Sequence, residues 1–209
     1  KAAASAPSPA PPTQSKKCPR GMVLIAEATA IIGSSPSDPM RNFGERNPSK
    51  VKLQSFCIDR YEYPNIRGRK PLVRVSWRRA AALCRRRGKR LCTEEEWEYA
   101  CKGKGNRRFP YGSKFDANRC NTEDADGNDR NIMPAGSMPG CRSPFGIMDM
   151  SGNVSEWTST PYAAGSGKYT YKGGSAFRPD WASRCAARSM GSPGMSKADL
   201  GFRCCADPK

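Results

Sequence analysis

Histidine is absent from this chain of 209 residues. Its absence excludes every histidine-based general base and removes the commonest protein ligand of zinc, iron and copper. No pair of the cysteines has the C-x-x-C spacing that is typical of thioredoxin motifs and of many zinc sites. No apolar run approaches the roughly 18 residues that a membrane-spanning helix needs, so we expect no transmembrane segment.

Acidic residues are few relative to basic ones. The chain has 36 Lys and Arg against 19 Asp and Glu, which gives a net charge of +17. A charge of this size attracts anions, so we expect an acidic protein or glycan partner. The chain has no helix-turn-helix, zinc-finger or RNA-binding signature, so we do not expect nucleic acid. Alternatively, many of the arginines are solvated or paired with the acids.

Cysteine, by contrast, is plentiful. An even number of scattered cysteines indicates disulfides in an oxidising compartment, so we expect a secreted, periplasmic or cell-surface protein with five disulfides. Ten cysteines allow about 945 pairings, so the spacing alone does not choose among them. The cysteines are Cys18, Cys57, Cys84, Cys92, Cys101, Cys120, Cys141, Cys185, Cys204 and Cys205.

The first 17 residues differ from the rest in composition. They are rich in Ala, Pro, Ser and Lys and contain no aromatic residue, so they cannot build a core. We predict that residues 1–17 are a disordered linker and that residues 18–209 are one folded domain. Such a linker suits a tether through which the domain joins a surface assembly.

Two helices are predicted. Ser76 is suited to cap a helix that runs from Trp77 to about Arg87 and stops at Gly88. Its outer face carries basic side chains that resemble a nucleic-acid-binding stripe, although we favour a solvated helix face. These side chains are Arg78, Arg79, Arg85 and Arg86.

The second helix begins with a capping box formed by Thr93 and Glu96, and it should last about two turns. Short strands are predicted at Met22 to Ile25 and from Val51 onward. After Gly103, turn-forming residues recur every few positions, so we expect mostly loops.

Short motifs follow one another in a fixed order between Cys18 and the last residue. They include Ile58-Asp59-Arg60-Tyr61-Glu62, Gly88-Lys89-Arg90-Leu91, Glu96-Trp97-Glu98-Tyr99-Ala100, Gly152-Asn153-Val154 with Glu156-Trp157, Gly173-Gly174-Ser175, Arg184-Cys185-Ala186-Ala187-Arg188 and Gly201-Phe202-Arg203-Cys204. In this order and spacing they resemble the formylglycine-generating enzyme (sulfatase-modifying factor) family. The resemblance implies an α+β, C-type-lectin-like fold with little regular secondary structure and with disulfide staples.

The resemblance also implies disulfide partners. Members that carry structural bridges have cysteines at positions that match two of the pairs here, Cys84–Cys204 and Cys101–Cys185. From position we infer the remaining three: Cys18–Cys57, Cys120–Cys141 and Cys92–Cys205.

The reaction of the family needs two neighbouring thiols that hold Cu(I), for which soft thiolates are suited. In active members this pair lies between the Gly-Gly-Ser turn and the Arg-Cys-Ala-Ala-Arg strand. Here residues 176–183 read AFRPDWAS and contain no cysteine. Iron-dependent relatives use a histidine cluster, which is also missing. We therefore expect neither copper nor iron, and we assign no catalytic residue.

A calcium site is implied by the same resemblance. Its ligands would be the carboxylates of Asp149 and Glu156 and the backbone carbonyls of Gly152 and Val154, which are the hard oxygen donors that Ca²⁺ takes. The alternative is that the two carboxylates only accept hydrogen bonds from loop amides. A second calcium site, with a looser match, would use Asn118 and Asp126.

A ligand groove is predicted at the altered segment, lined by Phe177, Arg178, Asp180 and Trp181. A tryptophan beside an arginine suits a sugar ring or an extended peptide, although Trp181 could instead be a core residue.

Three functions are left open. The first is a non-catalytic binding or structural module that calcium stabilises. The second is a metal-dependent oxidase with a divergent site, and the third is a structural subunit of an extracellular assembly.

Overall fold

The computed structural model describes residues 16–209, which form two helices, ten strands and one 3-10 turn. The helices are α1 (Trp77–Arg85) and α2 (Glu94–Lys102), and the 3-10 turn is Asp180–Ser183. The strands are β1 (Met22–Ile25), β2 (Ala28–Ile32), β3 (Ser49–Leu53), β4 (Phe56–Asp59), β5 (Arg90–Leu91), β6 (Ser155–Pro161), β7 (Tyr169–Lys172), β8 (Arg188–Gly191), β9 (Leu200–Phe202) and β10 (Cys204–Ala206).

Both predicted helices are present, and local sequence signals begin them. The Ser76 hydroxyl accepts a hydrogen bond from the N–H of Arg79 at the start of α1. At the start of α2 the Thr93 hydroxyl accepts from the N–H of Glu96, whose carboxylate accepts from the N–H of Thr93. This reciprocal pair satisfies two donors that a helix start leaves without partners. The first helix ends at Arg85, slightly earlier than expected.

Three small sheets surround the helices. One four-stranded antiparallel sheet has the order β1-β4-β10-β5, and β2 and β3 form a separate pair. The second four-stranded sheet has the order β8-β7-β6-β9, in which β6 and β9 run parallel. Its strands fall in the region where we expected mostly loops, and although loops do predominate there, these four strands were not predicted. These strands are three to seven residues long and pair across distant parts of the chain, so local periodicity reveals them poorly.

Two hydrophobic clusters fill the interior. The larger contains Trp97 of α2, packed among residues of β1 to β4. The smaller contains Trp157 of β6 and Phe202 of β9, and it takes in the inner face of α1. Each helix therefore anchors one cluster, and the sheet β8-β7-β6-β9 lies beside both of them.

All ten cysteines are joined in five disulfides, and no free cysteine occurs in residues 16–209. The pairs are the five that we predicted: Cys18–Cys57, Cys84–Cys204, Cys92–Cys205, Cys101–Cys185 and Cys120–Cys141. Small domains with much irregular backbone gain stability from such bridges.

Most of the predicted linker, residues 1–15, lies outside the described residues. Lys17 belongs to the folded domain, because its backbone exchanges two hydrogen bonds with Lys209, of 2.7 and 3.0 Å. No helix within residues 16–209 is long and apolar enough to cross a membrane.

Candidate functional site

A cleft of about 210 Å³ opens where β7 and β8 meet the segment that follows β7. The residues that give it its chemistry are Lys172, Gly173, Gly174, Arg178, Trp181 and Arg188. It lies at residues 176–183, where the family resemblance implies a copper-binding cysteine pair and this sequence has no cysteine.

Two glycines allow this segment to fold back closely on the domain. A Cβ atom on Gly174 would lie 2.5 Å from the Ser183 hydroxyl oxygen, and one on Gly173 would lie 3.1 Å from the Trp97 ring. Both glycines also have positive φ angles, which favour residues without a Cβ. The cleft wall is therefore held close to the buried core.

The far wall is the 3-10 turn Asp180–Ser183, which follows Pro179. The carboxylate of Asp180 accepts a hydrogen bond of 2.7 Å from the N–H of Trp181. The side chain of Trp181 is 45% exposed, so it is not a core tryptophan. Its ring is held on a short turn at the mouth of the cleft.

Arg178 stands on the same side of the cleft as a largely exposed cation. Its guanidinium lies 3.9 Å from the carboxylate of Asp199, which also accepts a hydrogen bond of 2.8 Å from Ser175. One weak ion pair leaves most of the guanidinium donors of Arg178 directed to solvent. They are available to an anionic ligand that enters beside the tryptophan.

The floor of the cleft is charged but internally paired. Lys172 is buried and donates to Glu98 at 2.8 Å, and Arg188 donates to both carboxylate oxygens of Glu94 at 2.8 and 2.9 Å. Burial raises the pKa of Glu98, but Lys172 and Lys102 outweigh it, so that this pKa lies below its usual value. These ion pairs connect the cleft floor rigidly to α2.

The structure brings together two of the four predicted groove residues. Arg178 and Trp181 line the cleft, whereas Phe177 and Asp180 are half-buried and do not line it. Trp181 also borders a shallower depression formed by the loop before β3, where Phe43 is fully exposed. The sequence analysis missed Phe43, because nothing in its neighbourhood distinguished it from a core phenylalanine.

The predicted calcium loop packs directly against the cleft segment, because the N–H of Gly152 donates a hydrogen bond of 2.7 Å to the carbonyl of Gly173. Glu156 is fully buried, and its oxygens accept hydrogen bonds of 2.6 Å from Arg203 and from the indole N–H of Trp97. It is thus the counter-ion of Arg203, and few of its lone pairs remain for a metal. Asp149 accepts a hydrogen bond of 2.6 Å from the N–H of Gly136 with one carboxylate oxygen only.

A third buried carboxyl group, Glu62, accompanies these two, and the sequence analysis did not identify it. Burial, together with the charges of Asp149 and Glu156, raises the pKa of Glu62 well above its usual range. Burial is also the largest cause that raises the pKa of Asp149 to about 6, against the opposing effects of Gly136 and Arg203. Three carboxyl groups facing Arg203 leave this region short of positive charge.

Two backbone carbonyls belong to the predicted donor set. No hydrogen bond within residues 16–209 reaches the carbonyl oxygen of Gly152 or of Val154, although both residues are buried. Buried carbonyls normally have partners, so these two suit a hard cation. In the described part of the chain no three acidic or thiol side chains converge closely enough to hold a metal alone, so a cation in this loop would need the carbonyls as well.

The predicted second calcium site lacks such an arrangement. Asn118 and Asp126 are exposed, and the N–H of each bonds to the aspartate two residues before it. Asn118 and Asp126 therefore belong to two separate local turns.

Residues 63–208 match the sulfatase-modifying factor enzyme 1-like domain family. The chain belongs to this family. Formylglycine-generating enzyme of Mus musculus is 36% identical over 168 residues, an alignment that covers 68% of this chain and 45% of that protein. The inactive C-alpha-formylglycine-generating enzyme 2 of Bos taurus is 35% identical over 150 residues, covering 64% of this chain and 49% of that protein. The chain thus spans about half the length of these relatives.

Solved structures confirm the sulfatase-modifying factor fold. Treponema denticola variable protein 1 superimposes with a TM-score of 0.74 at 20% identity, covering 90% of this chain and 95% of that one. PvdO from Pseudomonas aeruginosa gives a TM-score of 0.74 at 22% identity, covering 88% and 93%. At these identities the likeness concerns the fold alone. It agrees with the predicted α+β, C-type-lectin-like architecture.

Proposed function

We propose that this sulfatase-modifying factor domain is a non-catalytic binding module whose ligand occupies the cleft beside Trp181. The observation that carries the proposal is the disulfide pairing of all ten cysteines, together with the lack of histidine. No thiolate and no imidazole is left to hold Cu(I) or iron. A relative that is named inactive supports the same interpretation. Secretion to the periplasm or the cell surface is part of the proposal, supported by the disulfides.

The cleft suits a small acidic glycan or an extended acidic peptide. The face of Trp181 offers an apolar plane, and Arg178 offers hydrogen-bond donors next to it. Sugars and extended peptides combine flat apolar faces with polar edges, and a carboxylate on either would pair with the guanidinium.

Isothermal titration calorimetry of the purified domain with acidic oligosaccharides and acidic peptides tests this proposal. We expect the double variant Arg178→Ala/Trp181→Ala to weaken binding at least about tenfold, because it removes both contacts. The matched control is Arg20→Ala/Ile66→Ala, which removes another exposed arginine and another exposed apolar side chain. Equal affinity of the two variants would show that the ligand binds elsewhere.

A catalytic role is tested separately. The oxidised domain is incubated with Cu(I), oxygen and a cysteine-containing peptide, and the peptide is analysed for formylglycine by mass spectrometry. Turnover above the copper-only control would overturn the non-catalytic proposal, as would two thiols that can be alkylated without prior reduction.

Calcium is the second part of the proposal. Asp149 and the carbonyl oxygens of Gly152 and Val154 would hold it, Glu62 lies nearby, and Glu156 contributes chiefly charge. When bound, calcium would neutralise the excess of buried carboxylates, a role for which a hard divalent cation with irregular oxygen coordination is suited. The looser second site at Asn118 and Asp126 stays a prediction.

Thermal unfolding with calcium and with a chelator tests the site. We expect calcium to raise the Tm, because a ligand that binds only the folded state stabilises it. Asp149→Ala should abolish the increase, whereas Asp129→Ala, at an exposed loop carboxylate, should preserve it. A Tm that does not respond to calcium in the parent protein would reject the site.

A further inference from the structure

The positive charge of the chain is concentrated in one segment. The 31 residues between Glu62 and Glu94 contain eleven of the 36 Lys and Arg and no Asp or Glu. Lys89 and Arg90 are paired with carboxylates from elsewhere. The other nine side chains belong to exposed residues and form no ion pair within residues 16–209: Arg67, Arg69, Lys70, Arg74, Arg78, Arg79, Arg85, Arg86 and Arg87.

Four of these arginines share the outer face of α1. Arg78 and Arg79 are separated from Arg85 and Arg86 by about two helical turns, which places all four on one side. The opposite side carries Ala80, Ala81 and Cys84 and is buried against the smaller hydrophobic cluster. The helix thus holds the four guanidinium groups on a rigid, outward-facing surface.

The loop before α1 extends this surface. The guanidinium of Arg87 lies 4.3 Å from the centre of the Tyr63 ring and donates a hydrogen bond of 3.1 Å to the carbonyl of Pro64. Arg67 is three residues further along the chain, so its backbone lies within about 11 Å of Pro64. The loop that carries Arg67, Arg69 and Lys70 therefore begins next to the carboxyl end of α1. We call the nine side chains together the arginine surface.

Helix stability does not account for this distribution. Cations at the carboxyl end of a helix are favourable, but cations in its first turn oppose the helix dipole. α1 has Arg78 and Arg79 in its first turn and no acidic residue there. In the same domain α2 follows the favourable pattern, with three glutamates in its first turn and Lys102 in its last. The arginines at the start of α1 therefore point to a role outside the helix.

We propose that the arginine surface binds a polysaccharide that carries repeated carboxylate or sulfate groups. Eight of the nine cations are arginines, whose planar guanidinium pairs with such groups through two hydrogen bonds. Disulfides place the protein in an oxidising compartment, where nucleic acid is not the usual polyanion. Ile66 is the large apolar side chain exposed within this loop, and membrane docking normally requires more apolar surface. None of the nine residues lines the cleft at Trp181.

Affinity for heparin and for polygalacturonate, measured against salt concentration, tests the proposal. The test variant is Arg78→Gln/Arg79→Gln/Arg85→Gln/Arg86→Gln. The matched control, Lys50→Gln/Lys52→Gln/Lys104→Gln/Lys168→Gln, removes the same charge from exposed positions elsewhere. We expect the test variant to raise the Kd for at least one polysaccharide at least about tenfold and to lower the slope of log Kd against log salt by about 3. The control should change the Kd less than about threefold.

A second measurement needs no variant. Bound polysaccharide should protect Arg78, Arg79, Arg85 and Arg86 of the parent protein from phenylglyoxal, as read by peptide mass spectrometry. Equal loss of affinity in the two variants, or no protection, would overturn the proposal. Tighter binding of the parent to duplex DNA or to phosphatidylglycerol vesicles at about 150 mM salt would overturn the choice of a polysaccharide. Trp181→Ala should leave polysaccharide binding unchanged, which separates this surface from the cleft.

Discussion

Gly152 shows how strongly a single residue constrains the loop at residues 149–156. It has a φ of +78°, and a Cβ atom at this position would lie 2.3 Å from the carbonyl oxygen of Asn121. Its own N–H donates to the carbonyl of Gly173, next to the cleft. The residue therefore joins two parts of the domain at close range, and neither backbone can move without disturbing the other.

Replacing Gly152 with alanine should destabilise the protein by about 2–4 kcal/mol, because the clash is with backbone rather than with a mobile side chain. Urea unfolding followed by fluorescence measures the change. Gly127→Ala is the matched control, since Gly127 has a φ of +81° but nothing within 4 Å of the added Cβ atom. A similar loss in both variants would mean that the φ angle, and not the close approach, is the constraint.

At the scale of elements, α2 is joined to the sheet behind it by buried ion pairs. Glu98 accepts from Lys172 of β7 and from Lys102 of its own helix, both at 2.8 Å. All three side chains are almost completely buried. An unpaired buried charge is costly, so separating α2 from β7 would leave Glu98 and Lys172 without this ion pair and would destabilise both elements.

Glu98→Gln should lower the free energy of unfolding by roughly 3–5 kcal/mol at neutral pH, because it removes the counter-ion of the buried Lys102 and leaves the buried Lys172 with only its 3.5 Å pair to Glu94. The pKa of Glu98 is lowered in the folded state, so its stabilisation is present above the unfolded pKa and is lost as the pH falls below about 4.5.

Urea unfolding at several pH values from neutral to acid measures this difference. The difference in free energy of unfolding between the parent and Glu98→Gln should therefore become smaller at acidic pH. Glu27→Gln, at an exposed glutamate, is the control. A difference that is constant across this pH range would show that the carboxylate charge is not responsible.

At the scale of the whole molecule, disulfides hold together segments that are distant in the sequence. Cys84–Cys204 and Cys92–Cys205 attach β10 to α1 and to the start of α2, across 120 and 113 residues. Cys120–Cys141 closes a loop with a separation of 21 residues. A bridge across a longer loop removes more entropy from the unfolded chain.

With Cys92–Cys205 intact, Cys84–Cys204 closes only the short loop made of residues 84–92 and 204–205. Replacing both of its cysteines by alanine should therefore cost less stability than the same change at Cys120–Cys141, by roughly 0.5–1 kcal/mol. Either loss should lie within the usual range of about 2–5 kcal/mol. Both pairs are buried, so the exposure of the sites does not separate them. Urea unfolding of the two double variants makes the comparison, and a larger loss at Cys84–Cys204 would contradict the entropic explanation.

The local sequence predicted those features that depend on residues close together in the chain. Both helix starts were visible, because Ser76 and the Thr93–Glu96 box satisfy their own backbone donors. The absence of copper ligands in residues 176–183 needed only the sequence itself. The fold class and two of the disulfides, Cys84–Cys204 and Cys101–Cys185, came from the family resemblance, and the other three pairs were inferred from position. Strands β6 to β9 were missed because each is short and pairs with a distant partner.

The sequence by itself determined that this chain has no histidine, no free cysteine pair at the altered segment and a concentration of arginine before Glu94. Only the tertiary structure showed that the carboxylate of Glu156 forms a buried ion pair with Arg203 and that the carboxyl group of Glu62 lies near that of Asp149. It also showed that the side chain of Trp181 is exposed. The physical reason is the same in each case: a side chain's charge partner and its exposure depend on residues brought to it by folding, across separations that no local pattern records.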